Sequence, residues 1–389
     1  VITAVRTQSL GNNLEHDTVH GRYNSLVQVD SDTYALAYTG DDPDANFSGN
    51  GFISTFTISS SGAITAVKTQ SLGNNLEHDT VQGYFNSLVQ VDSDTYALAY
   101  SGSDYDGFIS TFDIAADGTI TAVKTQSLGN NLEHDESTGA YNSLVQVDSD
   151  TYALAYTGTG QDGFISTFTI SSSGVITAVR TQSLGNNLEH DTAQGKYNSL
   201  VQVDADTYAL AYAADASDGY ISTFDIAADG TTITEVATLE HDTDNGTFNS
   251  LVQVDSDTYA LAYAGTGQDG FISTFTISSS GVITAVRTQS LGNNLEHDTV
   301  HGRYNSLVQV DSDTYALAYT GDDPDANFSG NGFISTFTIS SSGAITAVKT
   351  QSLGNNLEHD TVQGYFNSLV QVDSDTYALA YSGSDYDGF

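Results

Sequence analysis

The 389-residue chain has no cysteine, no methionine, no tryptophan and only two prolines, Pro43 and Pro324. Without cysteine there is no disulfide framework and no thiolate chemistry. Without methionine, Val1 is not a translational start, and the chain reads as a fragment or a processed product. Basic residues are scarce: nine Lys and Arg face 49 Asp and Glu, a formal charge of −40. Such a surface repels phosphate backbones and anionic headgroups, which argues against nucleic-acid and membrane partners. It suits a salty medium or bound cations that screen the self-repulsion. No apolar run is long enough to span a membrane, no signal peptide is present and no helix-period stretch appears. Aromatic residues make up 10% of the chain, which together with regular β patterning argues against disorder.

What is there is repetition. The triplet Glu-His-Asp recurs around His16, His78, His134, His190, His241, His297 and His359, at spacings of 62, 56, 56, 51, 56 and 62 residues. A longer period overlies it, because residues 1–108 return unchanged as 282–389. Five distinct repeats are thus followed by a copy of the first two.

Each repeat reads as four strands. In the second repeat, Asn86–Asp92 is alternating and β-branched, and Asp92–Thr95 is a turn whose small side chains bond their own backbone. Tyr96–Tyr100, Phe108–Ile114 and Ile120–Thr125 follow, with a Gly/Asp loop and a hairpin between them. Tyr96, Leu98 and Tyr100 project one way and Ala97 and Ala99 the other. A large face and a small face on one strand suit identical sheets stacked around an axis.

The expected fold is therefore all-β, a seven-bladed propeller of four-stranded antiparallel blades. A five-bladed ring with the start of a second, or an open superhelical stack, fits the same repeats. The blades are expected at about 24–73, 86–129, 142–185, 198–239, 249–292, 305–354 and 367–389, in one domain over 1–389, the last closed by an N-terminal strand in 1–11. The stretch Ile233–Glu240 lacks the Gln-Ser-Leu-Gly-Asn-Asn found before Leu14, so that segment reads as an optional extension at the outer rim.

Variation collects on the face carrying the fourth-to-first and second-to-third connections. Loops on a rigid scaffold commonly carry binding, although free drift explains the same pattern. The candidate ligand face comprises His16, Arg22, His78, Tyr84, His134, His190, Lys196, His241, His297 and His359. A histidine beside carboxylates is suited to metal or acid–base work. Seven equivalent copies, however, point to a structural role: a loop histidine hydrogen-bonded to a strand hydroxyl and an Asp. Asp41, Asp42, Asp44 and Asn46 offer hard oxygen donors to Ca²⁺, as do Asp104 and Asp106, without EF-hand spacing.

Over its whole length the chain resembles the highly repetitive β-propellers of secreted bacterial proteins. The likeness lies in Asn24-Ser-Leu-Val-Gln-Val-Asp-Ser-Asp-Thr-Tyr-Ala-Leu-Ala-Tyr38 and in Asp106-Gly-Phe-Ile-Ser-Thr-Phe112. The loop histidine is similar to the Gly-His position of WD40 blades, whose Trp-Asp half is missing here. The Asp/Gly loops resemble the cation loops of integrin-type propellers, without their full Asp pattern. The resemblance implies an extracellular or cell-surface scaffold. The expected function is non-catalytic binding or adhesion to a glycan or cell-surface ligand, with Ca²⁺ as the candidate ion. A self-assembling fibre, sheath or spacer built from copies of the chain is the alternative, and a propeller hydrolase is the third. With no unique polar cluster breaking the repeat, the chain is not expected to be an enzyme.

Overall fold

The computed structural model describes residues 2–41, 49–322 and 330–389. The first blade shows how the pattern folds. Strands β1 (Arg22–Gln28), β2 (Thr33–Gly40) and β3 (Asn50–Ile58) form an antiparallel meander from the innermost strand outward. The outer edge of β3 is shared by two short strands. β4 (Ile64–Lys68) pairs with Phe56–Ile58 and Thr55, and β5 (Leu76–Asp79) pairs with Gly51–Ile53. Between them lies a single 3-10 turn, Gln70–Leu72, capped by the Thr69 hydroxyl and ended by Gly73 at φ +65°. Gly suits that left-handed end because it has no Cβ.

Where the six-residue segment is missing, the two outer pieces fuse into one ten-residue strand, Ile233–Asp242. The extension is thus an insertion in the outer edge strand, and the blade that lacks it has four strands where the other complete blades have five.

The alternation of large and small side chains sets the stacking. Ala35, Ala37 and Ile53 of the first blade pack against Tyr96, Leu98, Tyr100 and Phe112 of the second. A seam that buries four such large side chains gains on the order of 10 kcal/mol, at about 1.5–3 kcal/mol each. Specific hydrogen bonds cross the same seam, such as Leu88 N–H to Ser25 Oγ at 3.0 Å. Each contributes only about 1 kcal/mol, so packing holds the blades together and the hydrogen bonds fix their register.

The expected seven four-stranded blades are corrected by the sheet topology. Six blades are complete, five with five strands and one with four. The seventh repeat contributes a two-stranded sheet, Tyr365–Asp373 with Thr376–Ser382. Its third strand is reduced to Gly388, bridged to Ser382 and to Asp17, and Ile2–Thr7 forms no strand. The physical reason is that a full blade needs a third strand to template the outer ones, and here that strand is a bridge. Neither a five-bladed ring nor an open stack is formed. Ala378 and Ala380 pack against Tyr34, Leu36, Tyr38 and Phe56, and Leu26 N–H donates to Ser368 Oγ at 3.0 Å. The two ends of the chain therefore meet across the same kind of seam that joins the other blades.

Candidate functional site at the mouth of the ring

The Glu-His-Asp triplets build the approach to the mouth. The seven histidines do not lie on the surface: His16, His78, His134, His241, His297 and His359 are at most 2% exposed, and both ring nitrogens of all seven lack a partner. Each ring stands edge-on to a tyrosine, as His134 does to Tyr156 at 4.7 Å. It fills the space left by a glycine of the third strand; a Cβ on Gly107 would lie 2.4 Å from His134. Burial pushes these histidines down to about 3, so they are neutral at physiological pH. Their role is packing, and the expected hydrogen bonds to a strand hydroxyl and an Asp are not made.

The Asp of the triplet shapes the backbone instead. Asp17 Oδ1 accepts from Val19 N–H at 2.9 Å and from His20 N–H at 3.1 Å. Asp79 and Asp298 do the same for the residues that follow them. Burial raises Asp17 and Asp298 to about 6, against these hydrogen bonds. The turn delivers its third following residue to the mouth. That position is His20, Gln82, Thr138, Gln194, Asn245, His301 and Gln363 in successive repeats.

An aromatic residue then caps the axis in every repeat. Tyr23, Phe85, Tyr141, Tyr197, Phe248, Tyr304 and Phe366 all adopt left-handed backbone, φ +51° to +56°. Such a conformation is uncommon for a bulky side chain and is held here by a bulge in the innermost strand pair, between Arg22 and Ser25 in the first blade. The Asn that follows pins it: Asn86 Nδ2 donates to Gly83 O at 3.0 Å and to Tyr23 O of the preceding blade at 3.2 Å. Consecutive rings sit 4.4–4.6 Å apart around the complete circle. Sequence reasoning missed this ring. The signal was an unbroken Tyr/Phe before every Asn-Ser-Leu-Val, which reads as an ordinary strand start.

The residues just before the aromatics crown the mouth: Arg22, Tyr84, Ala140, Lys196, Thr247, Arg303 and Tyr365. Arg22, Tyr84 and Lys196 of the candidate ligand face thus gather here, whereas its histidines lie beneath. Two sectors carry a further pair. His20 Nδ1 and Asp41 Oδ2 lie 2.6 Å apart, and so do His301 Nδ1 and Asp322 Oδ2. Each Asp is fixed by its other oxygen, which accepts from Gly49 N–H at 3.2 Å or from Gly330 N–H at 3.1 Å. A carboxylate beside Nδ1 favours the tautomer that carries its proton on that nitrogen.

The two pairs have identical sequences and different surroundings. The Arg22 guanidinium sits 4.0 Å over the Tyr386 ring of the neighbouring repeat, and the His20 ring lies 6.0 Å from the same tyrosine. At Arg303 the equivalent neighbour is Gln268, which occupies the Tyr386 position by the same backbone bond, Gly302 N–H to Gln268 O at 2.9 Å. Without the tyrosine lid, Arg303 opens onto two depressions. One, of about 160 Å³, is lined by His301, Arg303, Thr320, Asp322, Gly330 and Tyr365. The other, of about 380 Å³, reaches Lys196 across the rings of Tyr141, Tyr197 and Phe248.

Of the candidate calcium ligands, Asp42, Asp44 and Asn46 lie outside the described residues. Asp41 is engaged by His20 and Gly49. Asp104 lies in a 3-10 turn at φ +60°. Asp106 faces Glu133, and burial and the neighbouring carboxylates raise both. Among the described residues, no group of three His, Asp or Glu side chains is arranged to hold a metal ion.

No family model matches the chain, and no curated protein matches it by sequence. Solved structures share its fold. A periplasmic gluconolactonase of Pseudomonas aeruginosa superposes with a TM-score of 0.61 at 10% identity, over 90% of this chain and 85% of that one. A protein from Bacteroides fragilis described as a candidate 6-phosphogluconolactonase gives 0.59 at 15% identity, over 87% and 84%. One from Bacteroides uniformis with the same description gives 0.58 at 13%, over 91% and 90%. These likenesses establish a β-propeller of repeated blades. They also overturn the expectation of a non-catalytic binding or adhesion module that is not an enzyme. That expectation took equivalent sectors as evidence against catalysis. The three propellers named here are described as lactonases, two of them as candidates, and the mouth of this one is not equivalent from sector to sector. No helix among the described residues is long and apolar enough to cross a membrane.

Proposed function

We propose that the chain is a hydrolase that opens lactones or similar esters at the mouth of the ring, with His301 as general base and Asp322 as its positioning residue. The carrying observation is the 2.6 Å contact of His301 Nδ1 with Asp322 Oδ2 in the wall of a depression shared with Arg303 and Tyr365. Lactonase descriptions of propellers with this shape support the reading. In the reaction, His301 Nε2 takes a proton from water as the water oxygen bonds to the acyl carbon. The ring C–O bond then breaks, and the departing alkoxide receives that proton, leaving a hydroxy acid. General base catalysis of this kind contributes about 10²–10⁴-fold. We also place the chain outside the cytoplasm, a reading supported by its acidity, which suits a salty medium, and by the periplasmic neighbour.

The test is base uptake in a pH-stat with a δ-lactone of a sugar acid, corrected for spontaneous opening. The native chain is expected to exceed the spontaneous rate, and His301→Gln to lower kcat by about 10²-fold. A native rate equal to background, or a His20→Gln/His301→Gln double variant as fast as the native chain, overturns the assignment.

A further inference from the structure

The 380 Å³ depression stands out for its charge. The chain carries 49 carboxylate side chains and nine bases, yet two of those bases, Lys196 and Arg303, line this depression and no carboxylate does. Five of the other bases, Lys68, Lys124, Arg180, Arg287 and Lys349, end the outer fourth strands, and Arg6 holds the matching sequence position. Arg22, at the mouth, is stacked on the Tyr386 ring. Lys196 and Arg303 thus bring two of the chain's nine lysine and arginine side chains together in one open depression at the mouth.

Both keep donors to spare: an arginine has five N–H groups and a lysine three. Arg303 Nε is buried with no hydrogen-bond partner, although the Arg22 and Arg180 Nε atoms are buried without a partner as well. Lys196 Nζ donates to Gln194 Oε1 at 3.1 Å once the Gln194 amide is oriented to donate to Ala214 O at 2.8 Å. Asn245, Gln268, Ser217 and Thr247 supply neutral donors and acceptors along the rim, and Tyr141, Tyr197 and Phe248 form an aromatic floor. Arg offers a planar fork to an oxyanion and Lys a point charge. Polar groups above an aromatic floor suit a hydroxylated ring stacked by its C–H face.

We propose that the Lys196–Arg303 depression binds the oxyanion of a small polyhydroxylated acid or phosphate ester. This rests on the hydrolase reading in one respect only: Arg303 joins the depression to the His301–Asp322 pair, so the bound anion is the distal end of the substrate or the released hydroxy acid. The chain would then hold one such site. The counterpart of Arg303 in the first repeat is occupied by Tyr386, and the remaining sectors present Tyr84, Ala140, Thr247 and Tyr365 at the same position.

Calorimetric titration of the full chain at low salt tests the site, with inorganic phosphate and with gluconate as separate probes. Binding of either supports the proposal, and the better probe identifies phosphate or carboxylate as the group recognised. Arg303→Gln and Lys196→Gln are each expected to weaken binding by at least about tenfold, as loss of a charge-assisted bond does. Arg22→Gln is expected to change it less than twofold. An unchanged melting temperature in each variant separates loss of the site from loss of the fold. If one variant is misfolded, rising chloride concentration must weaken the native titration. Failure of both anions to bind at tens of millimolar, or an Arg22→Gln loss equal to that of Arg303→Gln, overturns the proposal. Binding without lactone opening would sink the hydrolase reading and keep the site; lactone opening without anion binding would do the reverse.

Discussion

Replacing one buried histidine separates packing from protonation. His134 is fully buried, stands edge-on to Tyr156, and has a pKa near 3 against an ordinary 6.5. In the unfolded chain it takes up a proton as pH falls through 6.5, and in the folded chain it does so only near 3. Above 6.5 both states are neutral and the group adds no pH dependence. Below 6.5 the unfolded state binds the extra proton, and folding stability is lost at about 1.4 kcal/mol per pH unit until the folded pKa is reached. His134→Leu removes that proton and leaves the other six histidines in place. Whatever the substitution costs or gains in packing is common to all pH values. The variant should therefore gain about 2 kcal/mol on the native chain between about pH 7.5 and pH 5, the result of about 1.5 units of unfolded-state protonation. Urea unfolding of both chains at the two pH values, read as the shift in midpoint at constant slope, measures this difference. Two parallel pH profiles would refute the reasoning, for they would mean that His134 is protonated or partnered in the folded chain.

Further outcomes follow from the same geometry. Asp298 has the opposite sign: its folded pKa of about 6 lies above the ordinary 3.8, so the native carboxylate is unfavourable at neutral pH and is relieved as pH falls from 6 towards 3.8. The advantage of Asp298→Asn over the native chain should shrink by about 2 kcal/mol across that window in the same urea assay. Gly107→Ala would set a methyl 2.4 Å from the His134 ring and should cost about 3 kcal/mol, read as a lowered melting temperature. Deleting residues 182–187 should fuse two outer strands as in Ile233–Asp242 and leave a folded chain. The cost should be about 1 kcal/mol, for the lost Asn187 Nδ2 bond to Tyr156 OH.

The stacking of blades was legible because it depends on alternation alone: Tyr96, Leu98 and Tyr100 against Ala97 and Ala99 needs no long-range information. The outer extension was legible for the same reason, through its absence before Leu239. The aromatic ring was not, since left-handed backbone at Tyr23 arises from a bulge that only the neighbouring strand reveals. The burial of His134 depends on Gly107, twenty-seven residues earlier, whose missing side chain makes the room. The His20–Asp41 and His301–Asp322 pairs link two loops of one sector, and sequence places both members on the variable face without bringing them together. The blade count failed on the last repeat, where seven triplets in sequence become six complete sheets and one pair of strands.

Arg22 and Arg303 belong to identical 108-residue stretches, yet one is lidded by Tyr386 and the other faces Gln268. Each repeat borrows one wall of its surface from the repeat before it. Copying a block of repeats therefore does more than multiply a surface: at the joint between old and new it creates an adjacency that neither copy encodes. In such a chain a new site can arise without a single substitution, and the unit on which selection acts is the junction between repeats.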